Sequence, residues 1–454
     1  MAEGTELSSR LDPITPPDTL PELIAQPYLR ATYSRRQLEQ SATLFWTNHF
    51  NTNYSDIVPF FNRAGRDAAL VQTLATELQY RETTTFRTLA FTGTFRDIVE
   101  ASTLSPAMIL FLDTDQNIAT APNENMAREL LELYAMGVDG GYTQADVIDL
   151  ARVLSGWNVC KKTAANQANP VAPCINRLFE DVTPGTYVAN FRPAQHDTGQ
   201  KILFAGTPQE VVIPDTSASP TDGVDDLEIA LDAIAAHPST RRFISKKLLG
   251  WFVTDTPSAS MIDDIALVWQ NTNGSLLDVL RAVVTHPEAN NPDLFRNKVK
   301  TPFEHMVSGL RATRGKISGL NGAFREYIAR LRYIPHTNPV PTGYPELSSA
   351  WVDTNNLLER QNYGLDLTSR TAAAFGTDLI LLMSDNGLNA SSDPNDIVDF
   401  WIDVLFAGAI APGERAEALA YLTTDDNGVP APVDNTRIRE LVGFLMGYPH
   451  FLEQ

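Results

Sequence analysis

The chain has 454 residues, a net charge of −20 at neutral pH and a pI near 4.7. Such an acidic surface repels phosphate groups, which argues against a general nucleic-acid binder and against adhesion to anionic membranes. No apolar run approaches the roughly 20 residues that cross a bilayer, and residues 1–10 lack the basic and apolar regions of a signal peptide.

Apolar residues recur with helical spacing through most of the chain, so the sequence predicts an all-α, predominantly helical fold. The predicted helices are 34–50, 67–82, 123–136, 144–157, 226–237, 240–253, 275–286, 301–313, 396–406, 414–424 and 435–448.

One long polar stretch, at about 158–225, interrupts this helical pattern. It is rich in Pro, Asn, Asp and Gly, which predicts a long irregular excursion from the helical body. Two short runs of β-forming residues inside it, 201–206 and 210–214, predict a small β ribbon.

The helix that begins with "NEN" carries several charged residues on one side. On a helical wheel Glu124, Asn125, Arg128, Glu129 and Glu132 fall within one arc of about 140°. The pattern alone is explained by a solvated face with weak i,i+4 ion pairs, and a wall of a functional site is the alternative.

The segment just before this helix resembles the calcium loop of an EF-hand. The ligand positions 1, 3, 5 and 12 would be Asp113, Asp115, Asn117 and Glu124. Ile118 replaces the usual glycine and Pro122 lies late in the loop, so a polar interhelical turn is the alternative. On the first interpretation, Ca²⁺ is the cofactor.

The two cysteines, Cys160 and Cys174, flank one polar loop. With no CxxC pair and no Cys/His quartet, the sequence argues against a structural zinc site. A local disulfide in an exported protein and two free thiols are both compatible with this spacing. Nucleophile-elbow, Walker, HExxH and GxGxxG motifs in their required contexts are also missing from the sequence, which argues against serine-hydrolase, nucleotide-dependent and zinc-peptidase mechanisms.

Six blocks of the sequence resemble the bacterial DUF1800 family in family order. They are 44–50 ("LFWTNHF"), 122–157 (including "NENMARELLELYAMG" and "SGW"), 196–206 ("HDTGQKILFAG"), 236–248, 300–312 and 343–363. Two positions depart from the family pattern: Ser155 replaces a threonine, and "GYPEL" at 343–347 replaces "GWPGG". The second change weakens the case for a close backbone approach to a ligand there.

The resemblance implies an exported helical protein, often encoded beside DUF1501 proteins, which resemble sulfatases. It supports a Cys160–Cys174 disulfide. It also implies that residues 1–40 are the remnant of a longer N-terminal segment and that residues 41–454 form a single helical domain.

Polar residues inside these blocks are the candidates for chemistry, because imidazoles and carboxylates serve general acid–base catalysis. The predicted catalytic residues are His49, Glu124, Glu129, His196 and Asp197. The predicted substrate-binding residues are Asn48, Arg128 and Trp157. For His49, a buried and hydrogen-bonded imidazole is the alternative.

These residues lead to two functional hypotheses, which leave open whether the protein is an enzyme. The first is an exported hydrolase-like protein acting on a polymeric carbohydrate, a polysaccharide. The second is a non-catalytic binding or scaffold protein that partners a sulfatase-like DUF1501 product.

Overall fold

A computed structural model describes residues 5–63, 65–408, 410–425 and 427–454, and it confirms the predominantly helical fold, with 59% helix and 8% strand. The helices of the first half are α1 (Thr5–Leu11), α2 (Leu20–Tyr33), α3 (Gln37–His49), α4 (Tyr54–Phe61), α5 (Ala68–Thr92), α6 (Phe95–Thr103), α7 (Pro106–Phe111), α8 (Asn125–Glu129), α9 (Gln144–Val153), α10 (Gly223–Ala236) and α11 (Pro238–Phe252). Those of the second half are α12 (Ala259–Asn271), α13 (Leu276–Val284), α14 (Pro302–Ala312), α15 (Gly322–Arg330), α16 (Thr354–Ser369), α17 (Leu379–Asp385), α18 (Pro394–Phe406), α19 (Pro412–Thr423), α20 (Asn435–Leu445) and α21 (Pro449–Leu452).

The "NEN" helix is not one regular α-helix. After α8 the chain continues as a π-helical turn, Leu130–Ala135, and ends at Gly137, which has a φ of +81°. A π-turn holds more residues than an α-turn, so the 100° wheel misplaces residues beyond Glu129. Short 3₁₀ turns lie at Asp12–Ile14, Thr114–Gln116, Arg177–Phe179, Pro193–Gln195, Pro220–Asp222, Pro287–Asn290, Pro292–Leu294 and Ser348–Trp351.

The strands form small antiparallel sheets. They are β1 (Trp157–Lys162), β2 (Thr186–Phe191), β3 (Lys201–Leu203), β4 (Val211–Ile213), β5 (Gly315–Ile317), β6 (Thr371–Ala372) and β7 (Phe375–Thr377). β3 pairs with β4, which confirms the predicted ribbon, while β1 pairs with β2 and the third sheet has the order β5–β7–β6. The predicted helix through Trp157 is too long, because Gly156, at a φ of +85°, turns the chain from α9 into β1.

Two large apolar cores organise the helices. The first gathers residues of α3 and α5–α13, and the second gathers residues of α1, α2 and α14–α21. Leu44 of α3 packs against both cores. Leu7, Leu11 and Ile14 are buried in the second core, so α1 and α2 pack with the C-terminal helices; the predicted domain limit at residue 40 stays a prediction.

No helix in the described ranges is both long enough and apolar enough to cross a membrane.

A disulfide between Cys160 and Cys174 anchors the excursion, with 5.9 Å between the two Cα atoms. It ties β1 to the loop that leads to β2. The buried Lys162 reinforces this loop, because its Nζ donates to the carbonyl oxygens of Asn169 and Pro170, each at 2.8 Å.

Replacing both cysteines, Cys160→Ser with Cys174→Ser, is expected to lower the free energy of unfolding by about 3 kcal/mol. The bridge closes a loop with a sequence separation of 14 and restricts the unfolded chain accordingly. Denaturant unfolding of both proteins measures the change, and reducing the wild type should reproduce it. Equal midpoints for the oxidised wild type and the double variant would contradict this role.

Candidate functional site

The start of α8 holds a partly exposed polar network. Glu124 Oε2 accepts a hydrogen bond from Arg128 Nη2 at 2.8 Å and one from Gln144 Nε2 at 2.9 Å. Arg128 Nη2 also donates to Gln144 Oε1 at 3.0 Å. The predicted catalytic Glu124 and the predicted substrate-binding Arg128 are therefore paired with each other and with α9.

Glu129 has different surroundings. It is half-buried, and within the described ranges no hydrogen bond or ion pair engages its carboxylate. Burial, and then the charge of Glu132, raise the pKa of Glu129 against the opposing charge of Arg128. Among the predicted catalytic residues that carry a carboxyl group, Glu129 is thus the one whose carboxyl group forms no hydrogen bond or ion pair with the described residues.

His49 and Asn48, at the end of α3, are both buried. His49 Nε2 lies 3.0 Å from the carbonyl oxygen of Tyr134, and its ring stacks on Phe45. Burial, and then Lys247, lower the pKa of His49 well below its usual value. The structure thus gives His49 the surroundings of a buried, hydrogen-bonded core imidazole.

His196 belongs to a buried ionic cluster. The carboxylate oxygen Oδ2 of Asp226 lies 2.5 Å from Lys201 Nζ and 3.0 Å from His196 Nε2. The side chains of Lys201 and His196 are fully buried, that of Asp226 is 1% exposed, and Lys201 also donates to the carbonyl oxygen of Asp197. His196 Nε2 lies 3.4 Å from Lys201 Nζ, so three groups surround the ammonium group of Lys201.

The same cluster has the residue types of a Ser–His–Asp triad. Ser155 Oγ lies 3.4 Å from His196 Nδ1, on the ring edge opposite Asp226. A serine nucleophile must meet its substrate, however, whereas Ser155 is fully buried. Its Oγ already donates to the Arg152 carbonyl at 2.6 Å and accepts from the Asp197 amide at 2.8 Å. The arrangement holds chain segments together.

Asp197 and Trp157 are also engaged in the fold. Asp197 receives two hydrogen bonds from Arg152, at 2.9 and 3.1 Å, and one from the Gly199 amide at 3.0 Å. Burial alone would raise the pKa of Asp197, but these donors outweigh it and lower that pKa. Trp157 is 2% exposed and packs on Phe191, so its indole ring is shielded from solvent.

The predicted calcium loop has its donor groups largely engaged. The four predicted ligands are Asp113, Asp115, Asn117 and Glu124. Asn117 is 1% exposed, accepts from the Asn123 amide at 3.0 Å and donates to the Ala151 carbonyl at 2.8 Å, while Glu124 pairs with Arg128. Across the described ranges, no group of three or more His, Cys, Asp or Glu side chains is placed to hold a metal ion. These side chains do not fit a calcium loop as arranged, and the Ca²⁺ site stays a prediction.

Sequence reasoning missed Glu82, which lies in the middle of α5 rather than at a helix end. Its Oε2 accepts from Thr52 Oγ1 at 2.6 Å, and Oε1 has no partner among the described residues. Burial raises the pKa of Glu82 to about 7, against the lowering effect of the hydroxyls of Thr52 and Ser105. Glu82 borders a cleft of about 420 Å³.

A cleft of about 470 Å³ lies where α2, α3, α5 and α14 meet, beside the contact between the two cores. Each helix contributes residues at i, i+3, i+4 and i+7 spacing, which is one helical face. These lining residues are Leu23, Gln26, Pro27 and Arg30 of α2; Gln37, Leu38, Gln40, Ser41, Leu44 and Thr47 of α3; Tyr80, Thr83, Thr84 and Arg87 of α5; and Phe303, Glu304, Val307, Ser308 and Arg311 of α14. The cleft thus combines aromatic and aliphatic walls with many hydroxyl and amide groups.

The α5 part of this face could have been found from sequence. Tyr80, Thr83, Thr84 and Arg87 recur with helical spacing, but the predicted helix ended at residue 82 and α5 continues to Thr92.

The model of the family described as "Protein of unknown function (DUF1800)" matches residues 15–453. The chain belongs to the DUF1800 family. No curated protein and no solved structure matches it.

In this DUF1800 protein, sequence blocks that carry the family resemblance contact one another in pairs. Asn48 of one block donates to the Tyr344 carbonyl at 3.0 Å and accepts from the Tyr344 amide at 2.7 Å. Gly343, at a φ of +72°, lies so close that an added Cβ would sit 2.2 Å from the Asn48 carbonyl oxygen. Ser155 likewise contacts His196 of another block. Much of the DUF1800 motif content is therefore used to join distant segments.

Lys201→Met is expected to destabilise this DUF1800 protein by about 3–5 kcal/mol, because it leaves the buried Asp226 without its cation. Lys201→Met with Asp226→Asn removes both charges and should recover part of the loss. Thermal or denaturant unfolding measures both. Arg415→Gln, which breaks a surface ion pair with Asp399, should cost far less than Lys201→Met. Equal losses for Lys201→Met and Arg415→Gln would contradict the role of the cluster.

Proposed function

We propose that this DUF1800 protein is a non-catalytic binding protein for a polysaccharide, bound in the cleft between α2, α3, α5 and α14. The types of residue that line the cleft are the observation that supports this proposal. A sugar residue presents apolar C–H faces and a rim of hydroxyl groups. Rings such as Tyr80 suit the faces, and side chains such as Gln37 and Thr84 suit the hydroxyls.

The state of the predicted acid–base residues supports binding over hydrolysis. A general acid or base must come within hydrogen-bonding distance of the proton that it transfers. His49 and His196 are buried, Asp197 is held by Arg152, and Glu124 is held by Arg128. In these positions the polar groups contribute to the fold.

Export and a DUF1501-type partner complete the proposal, and both come from the family resemblance. A non-catalytic protein that holds a polymer would work with an enzyme that modifies it, and the sulfatase-like character of DUF1501 proteins fits that role.

The cleft can be filled by Thr84→Trp, which we expect to reduce polysaccharide binding by at least about tenfold. The bulky indole would occupy space needed by the sugar residues. Affinity electrophoresis against soluble polysaccharides of known backbone, with polygalacturonate, laminarin and dextran as probes, measures the loss.

Thr88→Trp is the matched control. Like Thr84, Thr88 is exposed on α5, and its hydroxyl donates to the carbonyl four residues earlier, at 3.1 Å. Unlike Thr84, it does not line the cleft. It should bind as the wild type does. Equal binding by Thr84→Trp, or no binding of any probe by the wild type, would refute the proposal.

The second candidate function is the predicted hydrolase, and Glu129 is the observation in its favour. Its carboxyl group has no hydrogen-bond or ion-pair partner among the described residues, and its raised pKa suits a general acid.

Release of reducing ends from the same polysaccharides separates the two functions. The binding proposal expects no release by the wild type or by Glu129→Gln. A hydrolase that uses Glu129 as its acid would show release that falls by about 10²–10⁴ in Glu129→Gln. Glu132→Gln controls for the loss of one charge on the same turn.

A further inference from the structure

The cleft carries a concentration of positive charge at one end. Arg311 of α14 is exposed, and its Nη1 donates to the carbonyl oxygens of Ala31, Thr32 and Ser34 at 3.2, 3.0 and 3.4 Å. These contacts fix the guanidinium group at the C-terminal end of α2. Its hydrogen bonds to the described residues all use Nη1, which leaves Nε and Nη2 as further donors.

A second arginine is joined to the same point. Arg87 Nη1 donates to Gln40 Oε1 at 2.6 Å, and Gln40 Nε2 donates to Ser34 Oγ at 3.4 Å. Ser34 therefore links Gln40 and Arg87 to Arg311. Arg30 lines the cleft one turn before the end of α2, so three arginines gather around the turn between α2 and α3.

Two side-chain carboxylates, Glu39 and Glu304, lie near this set. The carboxylate of Glu39 lies 3.7 Å from Arg87 and 3.3 Å from Arg36. Arg36 is a fourth cation near the cleft. Glu304 is the one side-chain carboxylate among the described lining residues. It precedes Arg311 by two turns of α14, which is about 10 Å along the helix.

Arg311 itself forms no ion pair with any residue in the described ranges. An unpaired guanidinium at a cleft wall is unusual in a chain with a net charge of −20, which has an excess of carboxylates available to neutralise it. Arginine binds carboxylate and sulfate groups through two parallel hydrogen bonds, and the remaining Arg311 donors, Nε and Nη2, are the pair that forms such a fork.

We infer that the cleft selects an anionic glycan, whose carboxylate or sulfate-ester group binds Arg311 and Arg87. This inference rests on the proposed binding function and specifies the class of its ligand. Sugar residues on either side of the anionic group would extend along α5 and α14, past Thr84 and Ser308, toward the Glu304 end of the cleft.

The test compares three probes: oligogalacturonate, its fully methyl-esterified form and a sulfated galactan oligosaccharide. Isothermal titration calorimetry is run on the wild type, Arg311→Gln, Arg87→Gln and Arg415→Gln. Arg415→Gln changes the net charge equally but removes a partly exposed arginine outside the cleft, paired with Asp399. Melting temperatures of all four proteins show that each is folded.

We expect the wild type to bind at least one of the two charged probes about tenfold or more tightly than the esterified probe, since each charged hydrogen bond contributes substantially to affinity. Arg311→Gln and Arg87→Gln should remove that preference, while Arg415→Gln should keep it. The charged probe that is preferred identifies the group as carboxylate or sulfate ester.

Other outcomes separate the two proposals. Equal binding of all three probes, insensitive to Arg311→Gln, would overturn the anionic selectivity and leave polysaccharide binding standing. If the wild type binds none of the three probes and none of the neutral polysaccharides, both proposals are overturned. Equal losses of the preference in Arg311→Gln and Arg415→Gln would show that net charge, and not this end of the cleft, determines it.

Discussion

The buried contact between Lys201 and Asp226 is the interaction on which the arrangement of the excursion depends. Taking an ammonium and a carboxylate out of water costs several kcal/mol for each ion, and only close pairing offsets that cost. Lys201 lies on β3, Asp226 on α10, and His196 joins them to Ser155 at the turn between α9 and β1. A single set of contacts therefore fixes both the entry of the excursion and its return to the helical body.

This cluster also shows that residue types alone do not distinguish a catalytic arrangement from a structural one. Imidazoles, carboxylates and hydroxyls serve catalysis and structure with the same hydrogen-bonding geometry, and solvent access separates the two uses. Ser155, His196 and Asp226 have the residue types of a hydrolytic triad, yet Ser155 is fully buried and its hydroxyl is already engaged. A sequence displays the residue types and not their exposure.

The helical fold was predictable from sequence because each long helix buries one regular apolar face, as α14 and α20 do. The ribbon of β3 and β4 was predictable from two short β-branched runs. The β1–β2 pair was not, since "WNVCKK" follows a helical pattern without a break other than Gly156. The π-turn after Glu129 was also missed, because its apolar residues are compatible with an ordinary helix.

The candidate site was largely beyond sequence reasoning for a related reason. Arg87 and Arg311 lie on helices far apart in the chain, and only the packing of α14 against α2 and of α3 against α5 brings them to Ser34. The predicted residues, by contrast, lay inside recognisable blocks, and those blocks proved to contact one another. Recognisable motifs in this chain mark the contacts that hold its segments together.

The acidic surface and the cationic end of the cleft have different electrostatic ranges. Repulsion of an anionic polymer by a net charge of −20 acts over the Debye length, which is about 10 Å at 0.1 M salt and about 3 Å at 1 M. The two-point contact that we propose for Arg311 would act at hydrogen-bonding distance and would be screened much less. Salt therefore weakens the repulsion faster than it weakens the contact. An acidic protein can in this way exclude anionic polymers from most of its surface and still hold one of them in a single cleft.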